Sequence, residues 1–172
     1  ILTDAGISAG RIGTLGYAFA GAEHSLNNTT PGPLELADIM RRMRAGAVTH
    51  LAMEVSSHAI DQGRVNGVPF RGGALTSIGQ DHLDYHGTFE NYVACKKRFF
   101  TDHVGPSDGV WVLNVDEAAG EELLAAAGSA RTSTYALGTR ASATIQSGDV
   151  HTTGAFSEFI LRIRCEVGRV RA

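Results

Sequence analysis

Two short stretches of the 172-residue chain concentrate side chains able to bind metals or polar ligands. The first, MEVSSHAIDQGRV at residues 53–65, sets Glu54, Ser56, Ser57, His58, Gln62 and Arg64 straight after an apolar run. The second, QDHLDYH at residues 80–86, follows another apolar run. In open α/β sheets ligands collect beyond the carboxyl ends of the strands, so polar residues there carry more weight than elsewhere. If the two strands are neighbours, Glu54 and His82 come side by side and can share a divalent cation. A carboxylate with a single imidazole suits Mg²⁺ or Mn²⁺ better than a structural zinc site. The same spacing also fits a DHLDYH run that merely caps a helix and hydrogen-bonds a loop, and for His58 alone local hydrogen bonding is the simpler role.

A third candidate comes from helical periodicity. At about 100° per residue, Phe89, Tyr92, Val93 and Phe100 form one apolar stripe with Lys96 in its middle, Lys97 at its margin and Arg98 opposite. A lysine pointing inward loses hydration, which favours its neutral, reactive amine; alternatively its stem lies along apolar surface while the ammonium reaches water. Further upstream, the hydroxyls of Thr29 and Thr30 in TTPGP either cap the following helix or bind an anionic group near its start. The sequence contains no G-x-x-x-x-G-K-[ST] phosphate loop.

The elements that must position these groups are legible in outline. Pro33 at a first helical position, Glu35 in the first turn, Leu36, Ile39, Met40 and Met43 at helical spacing and a closing Gly46 predict an amphipathic helix. Before it, residues 7–33 are rich in Gly, Ser and Asn and read mainly as loop. Nearly continuous apolar runs at 48–53, 74–78 and 109–115 suit strands of a parallel sheet covered on both faces. Helical patterns at 89–100 and 117–127 complete a strand–helix rhythm that argues for an open α/β layer. Toward the C-terminus Phe159, Leu161, Ile163 and Cys165 alternate with Ile160, Arg162, Arg164 and Glu166, the pattern of a strand with one wet face. The expected fold class is therefore α/β, a mostly parallel sheet flanked by helices, with a smaller antiparallel sheet near residues 132–171.

Composition narrows the function classes. With 43% hydrophobic and 19% charged residues the chain is ordinary for a globular protein with one core, and a net charge of −3 supplies no basic field for nucleic acid. No apolar run reaches the length of a spanning helix and no signal-peptide pattern is present, so a cytoplasmic protein with no membrane partner is expected. Cys95 and Cys165 have no C-x-x-C spacing and read as reduced thiols. The opening ILTDAG has no initiator Met and reads as the last turn of a helix ended by Gly6, while a strand pattern runs almost to the last residue. These features predict a piece of a longer enzyme.

Taken together, MEVSSHAIDQGRV, DHLDYHGTFENYVACKKRFF and the upstream TTPGPLEL resemble the Mur ligases, most closely the MurE type that adds the third residue of the peptidoglycan stem peptide. The resemblance spans residues 10–117. It implies a P-loop NTPase-like central domain over residues 1–172, lacking the P-loop, the N-terminal uridine-binding domain and the C-terminal amino-acid-binding domain. The implied reaction is ADP-forming: ATP phosphorylates a carboxylate of UDP-N-acetylmuramoyl-L-alanyl-D-glutamate, and the amine of diaminopimelate or lysine then displaces phosphate. Glu54 and His82 match the family's Mg²⁺ ligands, and Lys96 matches the lysine that CO₂ carbamylates into a ligand for a second Mg²⁺. Thr29, Thr30, Ser56, Gln62 and Arg64 match residues holding the muramoyl-dipeptide. Ser77 departs from the usual Asn, and NVDE at 114–117 only approximates N-x-D-D. The residue pattern leaves two other readings open: a non-catalytic module that binds muramoyl peptide, and a metal-dependent phosphoesterase using Glu54, His58, His82 and His86. As it stands, the chain without a P-loop is expected to be inactive.

Overall fold

The computed structural model describes all residues except 105–108, 129–130, 138–139, 141, 154–156, 164–165 and 172. The chain divides into two compact units, Ile1–Val68 and Pro69–Ala172, where composition implied one core. Each unit closes a sheet of its own.

In the first unit the order is β1 (Ala9–Gly13), β2 (Gly16–Phe19), β3 (Ala22–His24), α1 (Pro33–Ala45), β4 (His50–Met53) and α2 (Ser57–Asp61). The sheet runs β3-β2-β1-β4, antiparallel among the first three and parallel between β1 and β4. The Gly-rich stretch read as loop is thus a three-stranded meander. Its strands are only three to five residues long, too short for a periodic signal, and Gly16 and Gly21 take positive φ at its turns. Gly16 takes φ +92°, and a side chain there would collide with the carbonyl oxygen of His24. The α1 helix forms as the sequence predicts, with Pro33 in its first turn and Leu36, Ile39 and Met43 buried. Its N-cap is Gly32 with no side-chain bond, so neither Thr29 nor Thr30 caps it.

In the second unit β5 (Gly72–Leu75), α3 (Leu83–His86), α4 (Phe89–Arg98), a π-helical turn (Phe99–Val104), β6 (Val110–Asn114), α5 (Ala118–Ala126), β7 (Arg131–Leu137), β8 (Ile145–Thr152), β9 (Ser157–Ile163) and β10 (Glu166–Arg171) follow in turn. Among the described residues they form one sheet, β10-β9-β8-β7-β6-β5. Strands β5 to β8 pair parallel and β8 to β10 antiparallel, so the antiparallel part continues the parallel sheet. The expected single C-terminal strand is a hairpin of β9 and β10; Cys165 and the side chains of Phe159, Arg164 and Glu166 lie outside the described residues. Trp111, Leu113, Leu75, Phe100 and Val104 pack with Ala119 and Leu123 of α5 and Ala127 at its end into the main core. Gly120 permits that packing, because a side chain there would strike the Asn114 carbonyl.

The fold is α/β, with two mixed sheets and flanking helices. Strand β4 pairs with β1 and β5 pairs with β6. The condition for placing Glu54 beside His82, that their strands are neighbours, is therefore not met by strand pairing.

Candidate functional site

Glu54 follows β4 directly and continues its ladder, its N–H donating to the Ile12 carbonyl at 2.9 Å. The side chain is exposed and anchored at one oxygen. Oε2 accepts from the Thr14 backbone N–H at 3.0 Å and from the Thr14 hydroxyl at 2.8 Å, and the Thr14 hydroxyl lies 3.2 Å from that of Thr29. Thr14 occupies the two-residue tip between β1 and β2, inside the stretch read as loop. Sequence reasoning missed it; the Gly13-Thr14-Leu15-Gly16 turn between Ile12 and Tyr17 was the available signal.

Thr30 is 0% exposed. Its hydroxyl donates to the Glu54 carbonyl at 3.0 Å and accepts from the Ser56 N–H at 3.0 Å. Thr30 thus pins the chain on either side of Val55, with its one proton committed. Ser56 caps α2, its Oγ accepting from the Ala59 N–H at 3.2 Å. That helix ends at Gln62, and Gly63 at φ +66° turns the chain. Arg64 then donates Nη1 to the Thr30 carbonyl at 3.0 Å, and both Nε and Nη2 to Oε1 of Gln62. One polar network therefore joins Glu54, Thr29, Thr30, Ser56, Gln62 and Arg64. Proton accounting separates their roles. Thr30's hydroxyl is saturated and buried, whereas Ser56 keeps its proton and Arg64 keeps part of its guanidinium fork for a ligand.

The second cluster surrounds Tyr92, which is 4% exposed. His82 lies edge-on to its ring with centroids 6.4 Å apart, His86 at 5.5 Å, and the Lys96 ammonium sits 5.0 Å from the ring centroid. His82 and Lys96 are thus both brought to the Tyr92 ring. Lys96 is half-buried, on the flank of the apolar stripe rather than in its middle. Tyr92 and Cys95, each 4% exposed, hold the centre. Cys95, which the stripe leaves out, is buried on α4, and Phe100 lies in the π-helical turn beyond it. Lys97 pairs with Glu122 at 2.6 Å.

His82 takes a left-handed backbone, φ 56° and ψ 30°, just before α3. Such a conformation costs of order 1–3 kcal/mol in a non-glycine residue and clusters at functional sites. Asp81 holds it, accepting the His82 N–H at 2.8 Å on Oδ1 while Oδ2 lies 3.3 Å from Nε2. His82 makes no side-chain cap, so helix capping does not account for DHLDYH. At the far ends of the strands, Asn114 donates to the Thr76 carbonyl at 2.7 Å and Asp116 accepts from the Leu137 N–H and Arg140. Burial, with Glu117 and Asp116 nearby, raises the pKa of the Tyr135 phenol. It stays a donor to the carbonyls of Leu75 and Thr76.

The profile of the Mur ligase middle domain matches residues 1–168. The chain belongs to the Mur ligase family. A UDP-N-acetylmuramoyl-L-alanyl-D-glutamate--2,6-diaminopimelate ligase of Coxiella burnetii is 44% identical over 124 residues, 72% of this chain and 25% of that protein. The ligase of the same name from Rhizobium meliloti is 36% identical over 166 residues, 96% of this chain and 31% of that protein. Among solved structures, a ligase of that name superposes with a TM-score of 0.84 at 26% identity, over 98% of this chain and 34% of the other. The chain therefore spans about a quarter to a third of these Mur ligases.

As metal ligands, Glu54 and His82 fit directly: Glu54 offers an exposed carboxylate whose Oε1 takes no bond among the described residues, and His82 offers an exposed imidazole. The Lys96 ammonium has no lone pair to give and fits only as a carbamate. Among the described residues no group of three or more His, Cys, Asp or Glu gathers to hold a metal, and the Mur ligase matches do not favour the phosphoesterase reading. No helix among them is long and apolar enough to cross a membrane.

Proposed function

We propose that the chain is the central part of an ATP-dependent, ADP-forming ligase that joins diaminopimelate to UDP-N-acetylmuramoyl-L-alanyl-D-glutamate through an acyl phosphate. The P-loop and the uridine- and amino-acid-binding domains lie outside these residues. The observation that carries this reading is the Glu54 network, which links the carboxylate through Thr14 to Thr29 and the Glu54 backbone carbonyl through Thr30 to Ser56, Arg64 and Gln62. The relatives' names favour diaminopimelate over lysine as the incoming amine. A nucleotide-linked substrate fits a cytoplasmic enzyme.

In this reading Ser56 donates its remaining proton to the muramoyl-peptide, and the outward N–H groups of Arg64 pair with its carboxylate or phosphate oxygens. Gln62 keeps the guanidinium plane fixed, so the fork meets its ligand without first losing rotamer freedom. In the first unit Glu54 would offer one carboxylate oxygen to Mg²⁺; in the second unit the His82 imidazole would offer a ring nitrogen and a carbamylated Lys96 an oxygen. When bound, Mg²⁺ neutralises charge on phosphoryl oxygens. The chain's own contribution is positioning and charge matching, which is most of what phosphoryl transfer asks of a protein. The test is ADP release by the intact ligase. It is expected to require both UDP-muramoyl-dipeptide and diaminopimelate, and residues 1–172 alone are expected to release none. Robust turnover by the isolated chain, or ADP release indifferent to the dipeptide, overturns the reading.

A further inference from the structure

We propose that Thr14 is the positioning residue for Glu54, the last donor in a directed hydroxyl relay that runs from Thr29 through Thr14 to the carboxylate. The proposal rests on the reading of Glu54 as a metal ligand. The direction follows from donor arithmetic. An ionised carboxylate only accepts, so the single proton of the Thr14 hydroxyl is spent on Oε2 at 2.8 Å. The 3.2 Å contact between the two threonine hydroxyls then requires Thr29 to be the donor. Thr29 is left with lone pairs only, and meets a substrate as an acceptor rather than as a donor.

The geometry clamps one oxygen and presents the other. Both Thr14 bonds fall on Oε2, and among the described residues Oε1 receives none. Beneath the carboxylate lies Gly13, where an added Cβ would stand 2.8 Å from the Glu54 Cδ. The carboxylate is therefore seated against bare backbone and held by a hairpin tip. Mg²⁺ demands near-octahedral geometry with few protein ligands, which a carboxylate with one oxygen fixed and one open can meet monodentately. Residues that orient metal ligands are typically worth ten- to a hundredfold in metal affinity.

The experiment is Mn²⁺ binding to the intact ligase, followed by electron paramagnetic resonance with a non-hydrolysable ATP analogue and no turnover. Thr14→Val keeps the backbone bond and the shape but removes the hydroxyl; it is expected to raise the Mn²⁺ dissociation constant about tenfold. Thr14→Ser, which keeps the hydroxyl, is expected to stay within about twofold of the parent. Glu54→Gln is the reference. If Glu54→Gln weakens binding and Thr14→Val does not, the relay is wrong and the ligand role of Glu54 survives. If Glu54→Gln has no effect, the ligand role itself fails and the relay with it. Equal weakening by Thr14→Val and Thr14→Ser would assign Thr14 to packing and overturn the proposal. Should Thr14→Val fail to fold, Thr29→Val removes the upstream donor without touching Glu54. It is then expected to weaken Mn²⁺ binding, and unchanged binding overturns the relay.

Discussion

Around Glu54 the ordering contacts are directional hydrogen bonds, while around Tyr92 ring contacts gather His82, His86 and Lys96, and Asp81 bonds the left-handed His82. A hydrogen bond fixes an atom to within a few tenths of an ångström and is lost when one partner goes. A ring face tolerates some sliding and holds a cation by its quadrupole. The first cluster therefore presents donors and acceptors at fixed positions. The second gathers His82 and Lys96 at one ring, with an Asp81 carboxylate oxygen 3.3 Å from the His82 Nε2.

The largest effect expected from breaking this contrast is at Lys96. Lys96→Ala in the intact ligase should lower kcat by about a hundredfold or more, the scale of losing one charge-stabilising group. Added short carboxylates should restore part of it by supplying the missing anion; undiminished activity would make Lys96 a surface residue. Next comes Tyr92→Leu, which keeps apolar volume but removes the ring beneath both His82 and Lys96. A loss of about tenfold in apparent Mg²⁺ affinity is expected, as for outer partners of metal ligands. Equal affinity would show that the ring only fills the core.

Arg64→Ala sharpens the other side. It should raise the KM for the muramoyl-dipeptide about tenfold with a smaller change in kcat, the mark of lost ground-state binding. A change confined to kcat would move Arg64 into the chemistry. The smallest effect expected is Tyr135→Phe, which deletes a hydroxyl bonded to two carbonyls at the end of β5. A stability loss of about 1 kcal/mol by denaturant unfolding is expected, with catalysis intact.

Much of this was legible in the sequence because the signals were long or chemically specific. The α1 helix carried a Pro start, a Gly stop and three buried residues at helical spacing, and all of it forms. The motif residues at 54–64 were readable as a group because their types, placed after a strand, restrict what they can do. The β1–β3 meander was not legible, since strands of three to five residues hold too few alternations to separate from loop. Thr14 was hidden with it. The buried face of α4 was legible only in part: Cys95, left out of the stripe, is buried, and Phe100 lies in the wider turn at Phe99–Val104, where a constant 100° step no longer applies. Thr30 looked like a ligand-binding hydroxyl, yet burial and two backbone partners commit it to the chain, a fact that needs three dimensions.

The central claim is that these clusters serve ligation through an acyl phosphate. Its most direct test is to give the intact ligase UDP-muramoyl-dipeptide labelled with heavy oxygen in the reacting carboxylate, together with ATP and diaminopimelate, and to weigh the phosphate released. Attack of that carboxylate on the γ-phosphorus, followed by displacement of phosphate by the amine, carries one labelled oxygen into each phosphate. Unlabelled phosphate accompanying product would contradict the account.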